Sequence, residues 1–161
     1  MSTPAIAVCG YRPELATRFA ELNFEWISRH FEIEAADRKV LLDPWHSIVA
    51  PGGDVLFAMC EGDVLGCVAL KPVRAGVLEL TKMAVRTEQR GRGIGGRLMQ
   101  AAIDTAQSLG ARELVLDTHS SLVSAIALYR RHGFVDVPLT DSPYRRSDVS
   151  MRRLLAGHDG A

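Results

Sequence analysis

The sequence predicts a single α/β domain, a mixed and mostly antiparallel sheet with helices on both faces. Three observations predict it. Apolar runs over residues 55–60, 64–70 and 77–85 are separated by tight turns, the mark of consecutive strands. Apolar residues recur at helical spacing before and after them. The chain of 161 residues suits one domain with one core. Lys plus Arg and Asp plus Glu are both 19, so no overall basic excess argues for nucleic acid or an anionic membrane. No apolar stretch approaches the roughly 18 residues that span a bilayer, and the N-terminus lacks a signal-peptide pattern. Cys9, Cys60 and Cys67 show no CxxC spacing and the five histidines no HExxH pattern. Neither a disulfide framework nor a metal site is expected, and the expected compartment is the cytoplasm.

Residues 5–8 form a short apolar run suited to a first strand. Tyr11-Arg12-Pro13-Glu14 opens a helix, with Pro13 in the first turn, where its missing N–H costs nothing. Leu15, Phe19, Leu22 and Trp26 share one face at spacings of 4, 3 and 4, and Phe24, Ile27 and Phe31 form a second stripe. The second stripe either widens the core contact or lines a substrate pocket or a subunit contact. A short helix is expected over 35–42, ended by Asp43-Pro44, and Pro51-Gly52-Gly53-Asp54 is a turn. The three strands follow, joined by Glu61-Gly62-Asp63 and Ala75-Gly76. After the polar stretch 86–92, a helix starts near Gly93, repeats through Ile94, Leu98, Ala102, Ala106 and Leu109, and stops at Gly110. A strand over 113–117, a helix over 121–132, and strands over 134–137 and 148–154 complete the order βααβββαβαββ.

Arg90-Gly91-Arg92-Gly93-Ile94-Gly95-Gly96 lies between a strand and a helix. Its glycines leave the backbone without Cβ cover, so amides can approach a ligand closely. The next helix adds unpaired N–H groups and the positive end of its dipole. Together these suit a pyrophosphate. Lys82, Arg86, Arg90, Arg92 and Arg97 add local positive charge to a neutral chain. The plainer alternative is a glycine-rich turn with solvated arginines.

Three phosphate motifs compete. GxxxxGK[ST] fails, since no Lys-Ser or Lys-Thr follows Gly95 or Gly96. GxGxxG is met by Gly91, Gly93 and Gly96, with Asp117 about 20 residues on, but residues 86–90 separate it from the strand and little chain remains for a second nucleotide-binding half. The third pattern, [RQ]xxGx[GA], is met by Arg90 through Gly95. With it come Leu80-Thr81-Lys82-Met83-Ala84-Val85, the helix end Leu109-Gly110-Ala111, and Ala125-Ile126-Ala127-Leu128-Tyr129-Arg130-Arg131-His132-Gly133-Phe134. On these residues the sequence resembles the GNAT superfamily of N-acetyltransferases over 78–137, while the N-terminal third matches only in element order. The resemblance implies a GNAT-like fold, one domain over 1–161 with a cofactor core at about 77–137, and acetyl transfer from acetyl-CoA to a primary amine of a small molecule, amino acid or peptide.

The resemblance also implies roles. The strand before the loop splays from its neighbour, and the backbone of Met83, Ala84 and Val85 meets the pantetheine arm. The amides of Gly91, Gly93, Ile94, Gly95 and Gly96 hold the pyrophosphate, with Arg86, Arg90, Arg92 or Arg97 on the remaining phosphates. Tyr129 matches the tyrosine beside the coenzyme sulfur, where a phenol can protonate the leaving thiolate; on spacing alone it is a core aromatic. Glu79, five residues before Ala84, matches the acidic base position of the histone-type members. Burial inside an apolar strand would make it a better base, and an edge glutamate facing water is the alternative. His119 is the second candidate base. A backbone N–H near Val85 would hold the oxyanion. Many relatives carry Asn seven residues before the tyrosine; here Leu122 stands there, with His119, Ser120, Ser121 or Ser124 as replacements.

Acceptor specificity in the superfamily comes from the first two helices and the loop between the last strands. These supply Glu25, Trp26, His30, Phe31, Glu32, Trp45, His46, Tyr144 and Arg145. Trp26, Phe31, His119 and Tyr144 are the acceptor-binding candidates, aromatics with nearby carboxylates suiting an amine. The rival from another class is a non-catalytic acyl-CoA-binding sensor or assembly module. The expected partners are acetyl-CoA and an amine, with no nucleic acid and no membrane, and the Phe24 stripe or the C-terminal strands could support a homodimer.

Overall fold

The computed structural model describes residues 4–139 and 142–156. In chain order the elements are β1 (Ala7–Cys9), α1 (Ala16–His30), α2 (Ala35–Leu41), β2 (Asp54–Cys60), β3 (Asp63–Arg74), β4 (Val77–Val85), α3 (Ile94–Ser108), β5 (Glu113–Thr118), α4 (Val123–Arg131), β6 (Val135–Val137) and β7 (Val149–Leu154). This is the expected order. The strands form one sheet, β1-β2-β3-β4-β5-β7-β6, antiparallel throughout except between β4 and β5.

The inner strands are buried on both sides and read as continuous apolar runs. On one face Leu98, Met99, Ala102, Ile103 and Ala106 of α3 pack against Leu56, Val68, Leu70, Leu80 and Leu114. On the other, Phe19, Leu22 and Ile27 of α1 and Val40 and Leu41 of α2 pack against Val55, Phe57, Cys67 and Ala84. The alternation along β2 explains the split, since Val55 and Phe57 point one way and Leu56 and Ala58 the other.

Element ends differ from the sequence expectation where local chemistry intervenes. Pro13 starts a single 3-10 turn, Pro13–Leu15, before α1 begins. β3 runs on through Pro72 to Arg74; its pairing with β2 ends at Leu70, so a residue without an N–H is tolerated beyond that point. A wide helical turn over Trp45–Val49 had no clear sequence signal. The Pro51–Asp54 turn needs glycine at Gly53 for space: a Cβ there would stand 2.0 Å from the Leu70 carbonyl oxygen.

Two irregularities of β4 build the site. Cys67 of β3 faces Ala84, but Ala69 faces Thr81, so two residues of β4 oppose one of β3. This is a β-bulge. Lys82 lies in it with φ +56°, a left-handed conformation that non-glycine residues rarely adopt. Leu78 and Leu80 before the bulge face α3, and so do Met83 and Val85 after it. The bulge therefore shifts the alternation and brings Lys82 and Ala84 onto the same face as Glu79 and Thr81. Pairing of β4 with β5 covers only Val77 to Glu79 against Glu113 to Val115. Beyond that the strands part, as the resemblance implies, and a cleft opens between them.

Candidate active site

The cleft has a volume of about 720 Å³ and is walled by α1, β4, the 89–96 turn, the end of β5, the start of α4 and residues 144–147. At one end lies the glycine turn. Gly91 and Gly93 have φ of +83° and +73°, which a Cβ would make costly. A Cβ built on Gly91, Gly93 or Gly96 meets no protein atom within 4 Å, so the space over the turn is open. Gly93 caps α3 and no side chain bonds to the first amides of that helix. Those amides and the helix dipole are thus free for an anion, and the turn fits a pyrophosphate. Gly95 serves packing instead, since a Cβ there would lie 3.3 Å from Leu128; its absence lets α4 approach α3. The Ile94 side chain is 2% exposed and anchors the turn in the core.

The arginines of this region separate by their partners. Arg90 lines the cleft and Arg92 does not; Arg92 is bound to Gln89. Arg86 is bound to Glu88 at 2.6 Å, and Arg97 reaches the Ile6 carbonyl at 3.1 Å, toward β1. Of the four arginines named for the phosphates, three therefore hold protein partners instead. Arg131, at the end of α4, lines the cleft and was missed, its only signal being a basic residue in a last helical turn.

Midway along the cleft are Met83, Ala84 and Val85 of β4 and, opposite, Tyr129 of α4. The Tyr129 ring packs 6.0 Å from Phe134, and burial pushes its phenol up to about 12. It stays protonated at neutral pH. Leu122, at the usual Asn position, lines the cleft as the uncapped start of α4. His119, Ser121 and Ser124 line it too, while Ser120 is turned to Asp148, bonded at 2.8 and 2.7 Å. The Ser121 N–H donates to His119 Nδ1 at 3.0 Å, and His119 Nε2 lies 3.7 Å from Asp148.

At the far end, Glu79 and Asp117 enter from the parting strands. Burial raises the Glu79 pKa; Lys71 opposes this, Asp117 adds to it, and Lys82 opposes it again. Trp26, His30, Phe31, His119 and Tyr144 complete this end, with Phe31 set edge-on to His119 at 5.5 Å and Trp26 4.8 Å from His30. Trp26 is therefore a cleft residue, although its helical spacing matched the core stripe.

The other expected acceptor residues stay out of the cleft lining. Glu25 pairs with Arg29 at 2.6 Å, His46 with Asp43 at 2.9 Å, and Trp45 packs on Tyr11. Glu32 is absent from the lining, and the Arg145 amide is tied to Glu34 at 3.0 Å. Besides Glu79 and Asp117, the aromatics have Lys82 and Arg146 beside them. Lys82 Nζ bonds Asp37 at 2.8 Å and the Tyr144 hydroxyl at 2.9 Å. Arg146 grips Asp37 with both terminal nitrogens at 2.8 and 2.7 Å, and its guanidinium lies over the Tyr144 and Phe31 rings. Burial alone would raise the Asp37 pKa, but the bonds from Arg146 and Lys82 win and hold it well below the usual carboxylate range. Burial lowers the Lys82 pKa against the pull of Asp37.

Cys67 is fully buried beside Asn23, and burial pushes its thiol up to about 12, so it offers no nucleophile. Cys9 and Cys60 lie outside the lining. Among the described residues no group of three His, Cys, Asp or Glu side chains is placed to hold a metal ion, and no helix is long and apolar enough to cross a membrane.

A cleft between two parting parallel strands thus joins a helix N-terminus open to an anion with titratable groups in one cavity. The chain belongs to the acetyltransferase (GNAT) family, whose model matches residues 18–134, and is by that membership an acyltransferase. It is 35% identical over 111 residues to an uncharacterized N-acetyltransferase of Schizosaccharomyces pombe, a match that covers 68% of this chain and 66%, just under two thirds, of that protein. An acetyltransferase of the GNAT family from Staphylococcus aureus superposes with a TM-score of 0.85 at 21% identity, over 94% of this chain and all of that one. An acetyltransferase from Salmonella typhimurium, solved with its cofactor acetyl-CoA, superposes with a TM-score of 0.74 at 18% identity, over 98% of each chain.

Proposed function

We propose that this cleft transfers the acetyl group of acetyl-CoA to a primary amine by direct attack. The observation that carries the reading is that the open glycine turn, Tyr129 and Glu79 all face one continuous cleft. The Salmonella relative's bound acetyl-CoA supports the same use of the fold. The amides of residues 91–96 and Arg90 bind the pyrophosphate, and the backbone of Met83 to Val85, left unpaired where β5 departs, binds the pantetheine arm.

The chemistry follows from the groups at hand. Glu79, with its raised pKa, takes a proton from the amine directly or through water, since only the neutral amine attacks. The C–N bond forms, and a backbone N–H of the bulged strand near Val85 holds the oxyanion. The C–S bond then breaks, and Tyr129 gives its hydroxyl proton to the sulfur. The new amide nitrogen sheds its second proton, which solvent carries to Tyr129, and Glu79 releases to bulk water the proton it took from the ammonium. No covalent enzyme intermediate is needed.

Thiol release from acetyl-CoA, measured against a panel of amines, amino acids and peptides, tests this. An acceptor is expected to raise release well above hydrolysis, and Tyr129→Phe to lower kcat at least about tenfold, near the low end of general-acid effects. Binding of acetyl-CoA without stimulation by any acceptor would point to the sensor reading. Failure to bind would remove the proposal.

A further inference from the structure

The acceptor end of the cleft carries more hydrogen-bond donors than the protein uses. Asp37 is 0% exposed and accepts four hydrogen bonds: Lys82 Nζ at 2.8 Å and Arg146 Nη2 at 2.7 Å on Oδ1, Arg146 Nη1 at 2.8 Å and the Glu34 N–H at 2.8 Å on Oδ2. A carboxylate has about four lone-pair positions, so Asp37 is saturated. Glu34 is occupied by the Arg145 amide at 3.0 Å and by Arg146 Nη1 at 3.2 Å. Both carboxylates stand behind the wall, outside the lining, whereas Lys82, Tyr144 and Arg146 are part of it.

The donor inventory leaves a surplus. Of the three Lys82 ammonium protons, one goes to Asp37 and one to the Tyr144 oxygen. The third, the Tyr144 hydroxyl proton, the Arg146 Nε proton and the second Arg146 Nη2 proton meet no acceptor among the described residues. These groups are fixed. The Lys82 side chain is 4% exposed, and Arg146 is held by Asp37 and by contact with the Phe31 and Tyr144 rings. Formal charges within the cluster cancel, two cations against Asp37 and Glu34, so a bound group would be chosen by directed donors rather than by a net field. On the same face of β4 as Lys82, Glu79, with Asp117 close to it, offers the opposite chemistry, carboxylates suited to an ammonium.

We infer that the acceptor amine carries an anionic oxygen group, a carboxylate or its equivalent, which docks against Lys82, Tyr144 and Arg146 while the amine lies toward Glu79. The acceptor is then of the amino-acid type, and polyamines and simple alkyl amines are disfavoured. This rests on the acetyl-transfer reading above. A cluster built only to clamp residues 144–146 to α2 would need no more than the bonds to Asp37 and Glu34; it leaves unexplained the spare donors on three residues that line the cleft.

The test uses matched triplets with the full-length protein: phenylalanine, methionine and leucine, each beside its carboxamide and its decarboxylated amine. With acetyl-CoA, at least one free amino acid is expected to exceed both companions in kcat/KM by about tenfold or more, the scale of a hydrogen bond to a charged group. Tyr144→Phe and Arg146→Gln should narrow that ratio, chiefly through KM. Amides and amines that match or outdo the acids in every triplet overturn the inference and leave acetyl transfer standing. A binding measurement separates the two readings: N-acetylmethionine against N-acetylmethioninamide, titrated into the coenzyme A complex. If no amine stimulates thiol release, acetyl transfer fails. A preference for the acid that weakens in Tyr144→Phe then still upholds the anion subsite, and equal binding or none removes it. If either variant loses acetyl-CoA binding, the wild-type ratios decide.

Discussion

Glu79 and Tyr129 face the same cleft, and burial shifts both in the same direction for opposite purposes: it makes the carboxylate a stronger base and keeps the phenol a proton donor. For Glu79 the sign can be followed through. Its folded pKa is raised, so the ionised form costs stability: the protein binds this proton more tightly folded than unfolded, and the stability it contributes below the unfolded value is lost as pH rises through the raised one. The base form appears over that same rise. Activity is therefore expected to climb with pH on a limb set by Glu79. Glu79→Gln should abolish that limb and lower kcat by about a hundredfold, while thermal melting at neutral pH moves up. A pH–rate profile beside a melting curve checks both; a variant that loses activity and stability together would make Glu79 a structural residue. At this scale legibility was uneven. Tyr129 stood out because its block has a specific spacing. Lys82 was legible only as loop-side charge, because nothing in a β-strand pattern announces a bulge that turns a lysine to the other face of the sheet.

Among the elements, the path from strand to helix across the glycine turn holds the clearest division of labour. Gly93→Ala places a Cβ at φ +73° in the open space above the turn. The backbone cost is about 1–2 kcal/mol, and the methyl group occupies ground where the pyrophosphate would lie. Acetyl-CoA is expected to bind at least tenfold more weakly, with the fold kept. Gly95→Ala meets only a Leu128 methyl at 3.3 Å, which can shift, and gains about 1 kcal/mol of helix propensity. Its effect on acetyl-CoA affinity by calorimetry should be the smaller of the two; the reverse order would mean that the pyrophosphate lies elsewhere. The order of elements was readable from turn residues and periodicity, which are local. The parting of β4 from β5 could be named only through the resemblance, because it depends on pairing between strands that α3 separates. The misplaced strand and helix ends fall where tertiary contacts decide, as at Pro72, where β2 no longer pairs.

For the whole molecule, Asp37 ties three distant parts of the chain together: α2, the bulge of β4 and the segment before β7. Its partners Lys82 and Arg146 lie 45 and 109 residues away. Sequence reading could not find this knot, since Asp37 reads as an ordinary first-turn carboxylate of a short helix. It should govern both the shape of the acceptor wall and the acid stability of the fold. Asp37→Asn removes the only fully buried carboxylate of the cluster and leaves Lys82 and the inner edge of Arg146 underpaired; breaking such a pair costs about 3–5 kcal/mol. The wild-type advantage has a defined pH window. The Asp37 pKa is depressed in the fold, so its contribution is complete above the unfolded value of about 3.9 and declines as pH falls toward the folded one. Denaturant unfolding of the two proteins should therefore differ most at neutral pH and converge below about pH 4. A constant difference across that range would mean that Asn loses packing rather than charge. A stability gap that closes with acid, together with a weaker preference for carboxylate-bearing acceptors, would show that one buried ion cluster both holds the sheet to α2 and forms the acceptor wall.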